Sequence, residues 1–354
     1  MWKLSAEDIE PLALGAALLG SGGGGSTTVA ARTAHRILQR CEPVSMVAPR
    51  ELAPDSWIVP IGLVGSVTLF EEKLPSGQEW QQVIATLNRY SGISADALMP
   101  FEAAGVNALL PVAAAASLGL PLADADVMGR AFPGLDQTML TLNNLPVAPM
   151  ALCNEQGMTA VLDRVNPYQA ERLARSTVVT MGGWAIVAFA PQRASDMARC
   201  AIHQSMARVL RFGRRLRQRD LAGLLYAGAG RSLFRGKVIQ VERTVADGYG
   251  RGSVVLEHLG DPERLLAVEF QNENLIAIED GRVRASVPDL ICTLETDNLA
   301  SVNTEQLRYG LELDVIRFPC PPTWRTTSGL GLVGPRAFGY RVPYVLPGAV
   351  GAED

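Results

Sequence analysis

Apolar residues along this chain fall into two textures. Up to about residue 230 they alternate between helical spacing and short solid runs. Beyond Leu233 they come as short β-branched runs separated by turn residues. Ser5-Ala6-Glu7-Asp8 opens the first helix, with a capping hydroxyl and acids in its first turn. Ile9, Leu12, Ala13, Ala16 and Leu19 fall on one face of it, and it stops at a glycine run. A second helix buries Val29, Ala30, Ala34, Ile37 and Leu38. Ser56 to Gly65 reads as a strand, Gln78 to Tyr90 as an amphipathic helix and Asp96 to Phe101 as a buried strand. Ala108 to Leu120 reads as a helix stopped by Gly119-Leu120-Pro121, and Leu120 to Ala125 as a further strand. Strand, helix, strand is a βαβ unit. Further on come a turn at Asn154-Glu155-Gln156-Gly157 and a helix over Pro167 to Arg175. A strand over Thr177 to Val187 and one long helix from Arg193 to Arg219 follow.

The second texture comprises Lys237 to Val245, Ser253 to His258, Leu265 to Gln271, Leu275 to Glu279, Leu290 to Leu294 and Leu311 to Phe318. Asp247-Gly248 and Asp280-Gly281 supply turn signals between them. This spacing predicts an all-β module, a barrel or sandwich. The expected architecture is an α/β N-terminal domain over 1–165 and a C-terminal domain over 166–354. The latter is helical at its start and β-rich from about 233, with the ligand in the cleft between the two.

The polar exceptions to these patterns are the informative residues. Glu102, Asn107, Asp124, Asp126 and Arg130 stand close together in otherwise apolar sequence. Residues i and i+2 of a strand share a face, so Asp124-x-Asp126 on an extended strand would converge on one point. Paired carboxylates either hold a hard cation or share a proton, and either arrangement activates water. The expected set is Asp124, Asp126 and Glu102, acting directly or holding one divalent metal, with Arg130 and Asn107 as substrate donors. A plain N-cap or turn would also place Asp there.

Gly20-Ser21-Gly22-Gly23-Gly24-Gly25 formally satisfies a dinucleotide fingerprint, but a helix and not a strand precedes it, and no Gly-Lys-Ser/Thr follows. The better reading of Gly22, Gly23, Gly24 and Gly25 is a ligand-approach loop whose N–H groups face an anion or polarised carbonyl. In Phe270-Gln271-Asn272-Glu273-Asn274-Leu275, alternation puts Asn272 and Asn274 on one face, where their amides could read a ring. Asn-Glu-Asn would equally make a turn.

Composition narrows the classes. Of 354 residues, 48% are hydrophobic and 19% charged, enough for a sizeable core and two domains. The formal charge of −4 gives no reason to expect nucleic acid, and the seven arginines from Arg199 to Arg219 read as a solvated helix face. No apolar run is long enough for a membrane span. Five scattered cysteines without C-x-x-C, and a start that leads straight into a helix, suggest reduced thiols and a cytoplasmic protein. His35, His203 and His258 form no metal spacing, and no nucleophile elbow is present.

Gly15-Ala16-Ala17-Leu18-Leu19-Gly20-Ser21-Gly22-Gly23-Gly24-Gly25 and Asp124-Ala125-Asp126-Val127-Met128-Gly129-Arg130-Ala131-Phe132-Pro133 resemble N-terminal signatures of the S-methyl-thiohydantoin desulfurase family. Phe270 to Leu275, Val287-Pro288-Asp289-Leu290-Ile291 and Leu307-Arg308-Tyr309-Gly310 resemble its C-terminal part. Where the family pattern reads Glu-Ile-Gly-Gly-x-Asn, this chain has Glu102-Ala103-Ala104-Gly105-Val106-Asn107. The resemblance implies catabolism of a small hydantoin-like heterocycle by hydrolytic removal of sulfur. Amide hydrolysis of a hydantoin or lactam ring, or binding without turnover, are the alternatives, and a homo-oligomer is compatible with all three.

Overall fold

The computed structural model describes residues 1–246 and 249–346, so the expected Asp247-Gly248 turn lies outside the described residues. The first half is mixed α/β. Its strands are β1 (Trp2–Leu4), β2 (Val44–Val47), β3 (Trp57–Gly65), β4 (Ala97–Pro100), β5 (Leu122–Ala123), β6 (Ala125–Asp126), β7 (Met150–Cys153), β8 (Thr159–Leu162), β9 (Trp184–Ala188), β10 (Gln192–Arg193) and β11 (Ile202–His203). The main sheet runs β1-β2-β5-β4-β3-β9-β7-β8, with β10 also on β3. Strands β2, β5, β4 and β3 are parallel, and the flanks are antiparallel. Parallel strands covered on both faces need continuous apolar sequence, and β3 is buried from Ile58 to Val64.

The described residues also form the α-helices α1 (Ile9–Leu19), α2 (Thr28–Leu38), α3 (Val67–Glu72), α4 (Glu79–Ser91), α5 (Leu110–Leu118), α6 (Met139–Leu142), α7 (Pro167–Thr180), α8 (Ala194–Cys200), α9 (Ser205–Arg217), α10 (Leu221–Ala227) and α11 (Thr327–Val333). The βαβ unit forms as expected, with α5 linking parallel β4 and β5. Three expectations change. The strand after α5 breaks at Asp124, and β6 leaves the main sheet to pair with β11. The arginine segment is two helices, parted at β11 and at Gln204, whose φ is +58°. Helix α7 continues to Thr180, and the next strand starts only after Gly182-Gly183, both at positive φ. The later arginines of α9 are a solvated face, Arg214 pairing with Asp8, Arg215 with Asp220 and Arg217 with Glu10, whereas Arg208 turns inward to the Gly129 carbonyl.

The second half is β12 (Arg231–Ala246), β13 (Tyr249–His258), β14 (Asp261–Gln271), β15 (Glu273–Glu279), β16 (Arg282–Ser286), β17 (Leu290–Glu295) and β18 (Glu312–Phe318). These form one antiparallel sheet, β16-β15-β14-β13-β12-β18-β17, curled into a half-barrel. Asp280 and Gly281, both at positive φ, turn β15 into β16 as a tight hairpin requires. The halves interlock. Strand β9 inserts between β3 and β7, so the first sheet draws on sequence beyond residue 165. Leu290, Cys292, Leu294, Ile316 and Phe318 join the core that contains Leu12 and Leu19 of α1. Among the described residues no helix is long and apolar enough to cross a membrane.

Helix α9 crosses α1 at two glycines, and a Cβ on Gly213 would overlap the Pro11 carbonyl oxygen. Gly213→Ala is therefore expected to destabilise the protein by about 1–3 kcal/mol, the usual range for overpacking. The urea unfolding midpoint reads this, and an unchanged midpoint would show that the crossing yields without strain.

Candidate functional site

A polar cleft of about 80 Å³ opens at the carboxyl ends of β3 and β4, where ligands of α/β sheets bind. The glycine loop forms one wall through Gly23 and Gly24. Glu102 and Asn107 form the floor, and Asn272 and Glu273 of the second half close it. Two buried carboxylates thus meet from opposite halves. Glu102 is 6% exposed and Glu273 4%. Burial, and then the charge of Glu273, push the Glu102 carboxyl well above the usual range. Burial pushes Glu273 up to about 7, opposed by the Arg130 guanidinium. Glu273 Oε2 is buried and has no hydrogen-bond partner among the described residues. An unpaired buried carboxylate oxygen at a cleft marks a candidate site.

Local backbone explains how the pair is held. Asn107 takes the Leu63 N–H on Oδ1 at 2.6 Å and turns Nδ2 toward Glu102 Oε1 at 3.4 Å, tying Glu102 to the end of β3. Asp126 accepts the Ala103 N–H at 2.7 Å and the Gly129 N–H at 2.9 Å, which fixes the chain next to Glu102. On the far side, Asn272 sits at φ +56° between β14 and β15, so the strand reverses there and Glu273 turns into the cleft. Its carboxyl packs on Gly23, where a Cβ would fall 2.5 Å from Glu273 Cδ. Gly23 is required for that close approach.

The expected carboxylate pair separates. Because the chain bends at Asp124, the i, i+2 rule for strands does not apply. Asp124 Oδ1 accepts the Met206 and Ala207 N–H groups at the start of α9, and Oδ2 accepts Trp2 Nε1. It lines a different cavity, of about 470 Å³, which also borders Met46 and His203. That cavity is the larger one, yet it holds neither member of the Glu102–Glu273 pair. Asp126 is fully buried on backbone N–H groups, with Arg208 beside it. Among the described residues no three His, Cys, Asp or Glu side chains are grouped to hold a metal ion. Asp124, Asp126 and Glu102 are therefore not a ligand set for a divalent ion.

Arg130 and Asn274 also turn away from the cleft. Arg130 spends its donors on the carbonyls of Ala131, Asp289 and Asn274. Asn274 donates to Ile291 O and takes its place against Gly22. The N–H groups of Gly23 and Gly24 bond back to Gly20 O, so the loop offers close approach and not a row of donors. Gly22 and Gly25 serve packing against Thr304 and Val67. Glu273 is the functional candidate that pattern reading missed, and Arg175 on α7 is a further one at the cleft wall.

A family model described as S-Me-THD-like, N-terminal domain, matches residues 7–164, and its companion, S-Me-THD-like, C-terminal domain, matches residues 165–346. The chain belongs to the S-Me-THD-like family. No curated protein matches it. A crystal structure of a protein from Chromobacterium violaceum superposes with a TM-score of 0.82 at 23% identity, covering 98% of this chain and 99% of that one. At that identity the likeness shows the fold alone.

Asp124 is expected to act on stability. Asp124→Ala strips two N–H groups at the start of α9 of their acceptor and should cost about 1–2 kcal/mol, as loss of a cap does. A chemical denaturation midpoint identical to that of the parent protein would show that α9 does not depend on it.

Proposed function

We propose that the cleft desulfurises an S-alkylated thiohydantoin by hydrolysis. Membership of the S-Me-THD-like family points to hydantoin-related metabolism. The single observation that carries the finer reading is the buried Glu102–Glu273 pair across a small polar cleft. Two acids whose environments push them apart divide acid and base roles between them. Glu273, poised near neutrality with a vacant oxygen, takes a proton from water as the water oxygen bonds to the ring carbon that bears sulfur. Glu102, its proton affinity raised by burial and by its neighbour, donates a proton to the ring nitrogen as charge develops there. The carbon–sulfur bond then breaks. The proton held on Glu273 goes to the departing thiolate, the hydroxyl proton passes to Glu102 as the carbonyl forms, and water has supplied the oxygen. The step needs no oxidant or reductant. The volume suits one small ring and a water, not an extended chain.

Incubating the protein with an S-methyl thiohydantoin and following thiol and ring products tests the proposal. Free thiol with an intact hydantoin ring is the expected result. An opened ring without thiol would replace the reading with amide hydrolysis.

Glu273 gives a paired prediction. Its folded-state value lies above the ordinary 4.5, so the native state prefers the neutral acid. Burial then costs nothing below about pH 4.5 and its full penalty above about pH 7. Glu273→Gln should raise Tm by a few degrees near pH 8 and leave it unchanged near pH 4. The same variant should lose about 10²-fold or more in kcat/KM. In the parent protein kcat/KM should rise with pH through about 7 as Glu273 ionises. A flat profile from pH 5 to about 9 would remove Glu273 as the base.

A further inference from the structure

Helix α7 lays one face against β3, β8 and β9, and its buried positions are Ala170, Glu171, Ala174 and Val178. Glu171 is the exception on that face, an acid only 8% exposed. A buried carboxylate needs partners, and the structure supplies them from two directions. Glu171 Oε2 accepts the Leu135 N–H at 2.8 Å, and Oε1 accepts Arg175 Nε at 2.7 Å, one turn along the helix. Arg175 in turn donates through Nη2 to the Pro133 carbonyl at 2.6 Å. Glu placed N-terminal to Arg at this spacing is also the favourable order on a helix.

These bonds grip one wall of the cleft. Ala131, Phe132, Pro133 and Leu135 line it, and the couple holds this segment at the Pro133 carbonyl and the Leu135 N–H. Charge-assisted bonds to backbone groups two residues apart leave the wall little freedom to swing. A second consequence is electrostatic. Arg175 and Glu273 line the same cleft of about 80 Å³. The charged groups facing Glu273 are Glu102 from the end of β4, Arg130 from the loop after β6, and Arg175 from α7. Both cations favour the ionised carboxylate against the burial that opposes it. Arg130 is committed to the carbonyls that join the two halves, whereas Arg175 stands at the cleft wall with its side chain 36% exposed. Arg175 is therefore the cation that can be changed without opening the junction.

We propose that Glu171 and Arg175 are the positioning pair of the cleft, fixing its Pro133–Leu135 wall and keeping a cation on hand for the ionised form of Glu273. This rests on the reading of Glu273 as the base. Neither residue takes part in bond making.

The titration of Glu273 is read from the Tm difference between the parent protein and Glu273→Gln across pH. That difference grows above about pH 4.5 and levels off near 7. With Arg175→Gln added to both proteins, the levelling-off should move up by about half a pH unit or more, since a cation favouring the carboxylate is gone. Arg175→Lys keeps a cation and should return it to the parent position. Lys cannot hold Glu171 and the Pro133 carbonyl as a fork. Its kcat on an S-methyl thiohydantoin should therefore stay about tenfold or more below the parent. A merely structural residue would lower Tm alike at every pH and leave the levelling-off in place. That result, a Lys variant displaced as far as the Gln variant, or a Lys variant with full kcat would each overturn the proposal. If Arg175→Gln does not fold, Arg175→Met, which keeps the aliphatic stem, takes its place. If the parent releases no thiol, desulfurisation fails. A displaced levelling-off then upholds the pair, and an undisplaced one overturns it.

Discussion

The structure depends on one buried cation. Arg130 is fully inaccessible, and its guanidinium donates to the Ala131 carbonyl of its own loop and to the Asn274 and Asp289 carbonyls of the second half. Burying a guanidinium costs several kcal/mol unless its donors are matched, and here five donors meet three carbonyls and the face of Phe132. The two halves must therefore dock in one register, because any slip leaves both the cation and those carbonyls unpaired. Ser21 Oγ to Ile291 O and Asn274 N to Ser21 O repeat the same junction a few residues away. Glu273, adjacent in sequence to Asn274, is delivered to the cleft by that register. Arg130 also supplies its opposing charge without touching it.

This arrangement accounts for two acids that are almost wholly buried. Each carboxyl alone would sit more stably in water, and the charge of Glu273 raises Glu102 further. Packing that is stable for other reasons holds them together: the interlocked core, the strap from Asn107 to Leu63, and the Asp126 bridges under Ala103. Storing such cost at a cleft is what a general acid and base require, since their proton affinities must lie near those of the reacting groups. Asp126 and Arg130 fix where the two glutamates stand.

Much of this was legible in the residues. The glycine loop, Glu102 and Asn107 were found because polar groups and glycines break an apolar βαβ pattern, and the structure brings them to one cleft. Asp124 misled because an alternation rule valid for a strand was applied across a bend that tertiary pairing creates: β6 turns out to meet β11. Glu273 was passed over because Asn272-Glu273-Asn274 reads as a turn. The available signal was the apolar run that follows immediately, since an acid at the head of a buried strand has nowhere polar to point. The shared core was invisible for a different reason. Insertion of β9 between β3 and β7 is a long-range pairing, and local periodicity carries no information about strand order.

The departure at Glu102-Ala103-Ala104-Gly105 can be settled by backbone geometry. Ala104 lies at φ −151°, ψ 155°, extended backbone that any residue adopts, and it does not line the cleft. Gly105 lies at φ +51°, and a Cβ there would strike the backbone of Gly24. The glycine that is kept is the one the loop crossing requires, and the one that is lost stood where no glycine was needed. Val106 N–H to Gly24 O still closes the crossing at 3.3 Å, which leaves Glu102 and Gly23 on facing walls of the same cleft. The shape of the cleft is therefore governed by Gly23, Gly24 and Gly105 together, and the substitution to Ala104 leaves it intact.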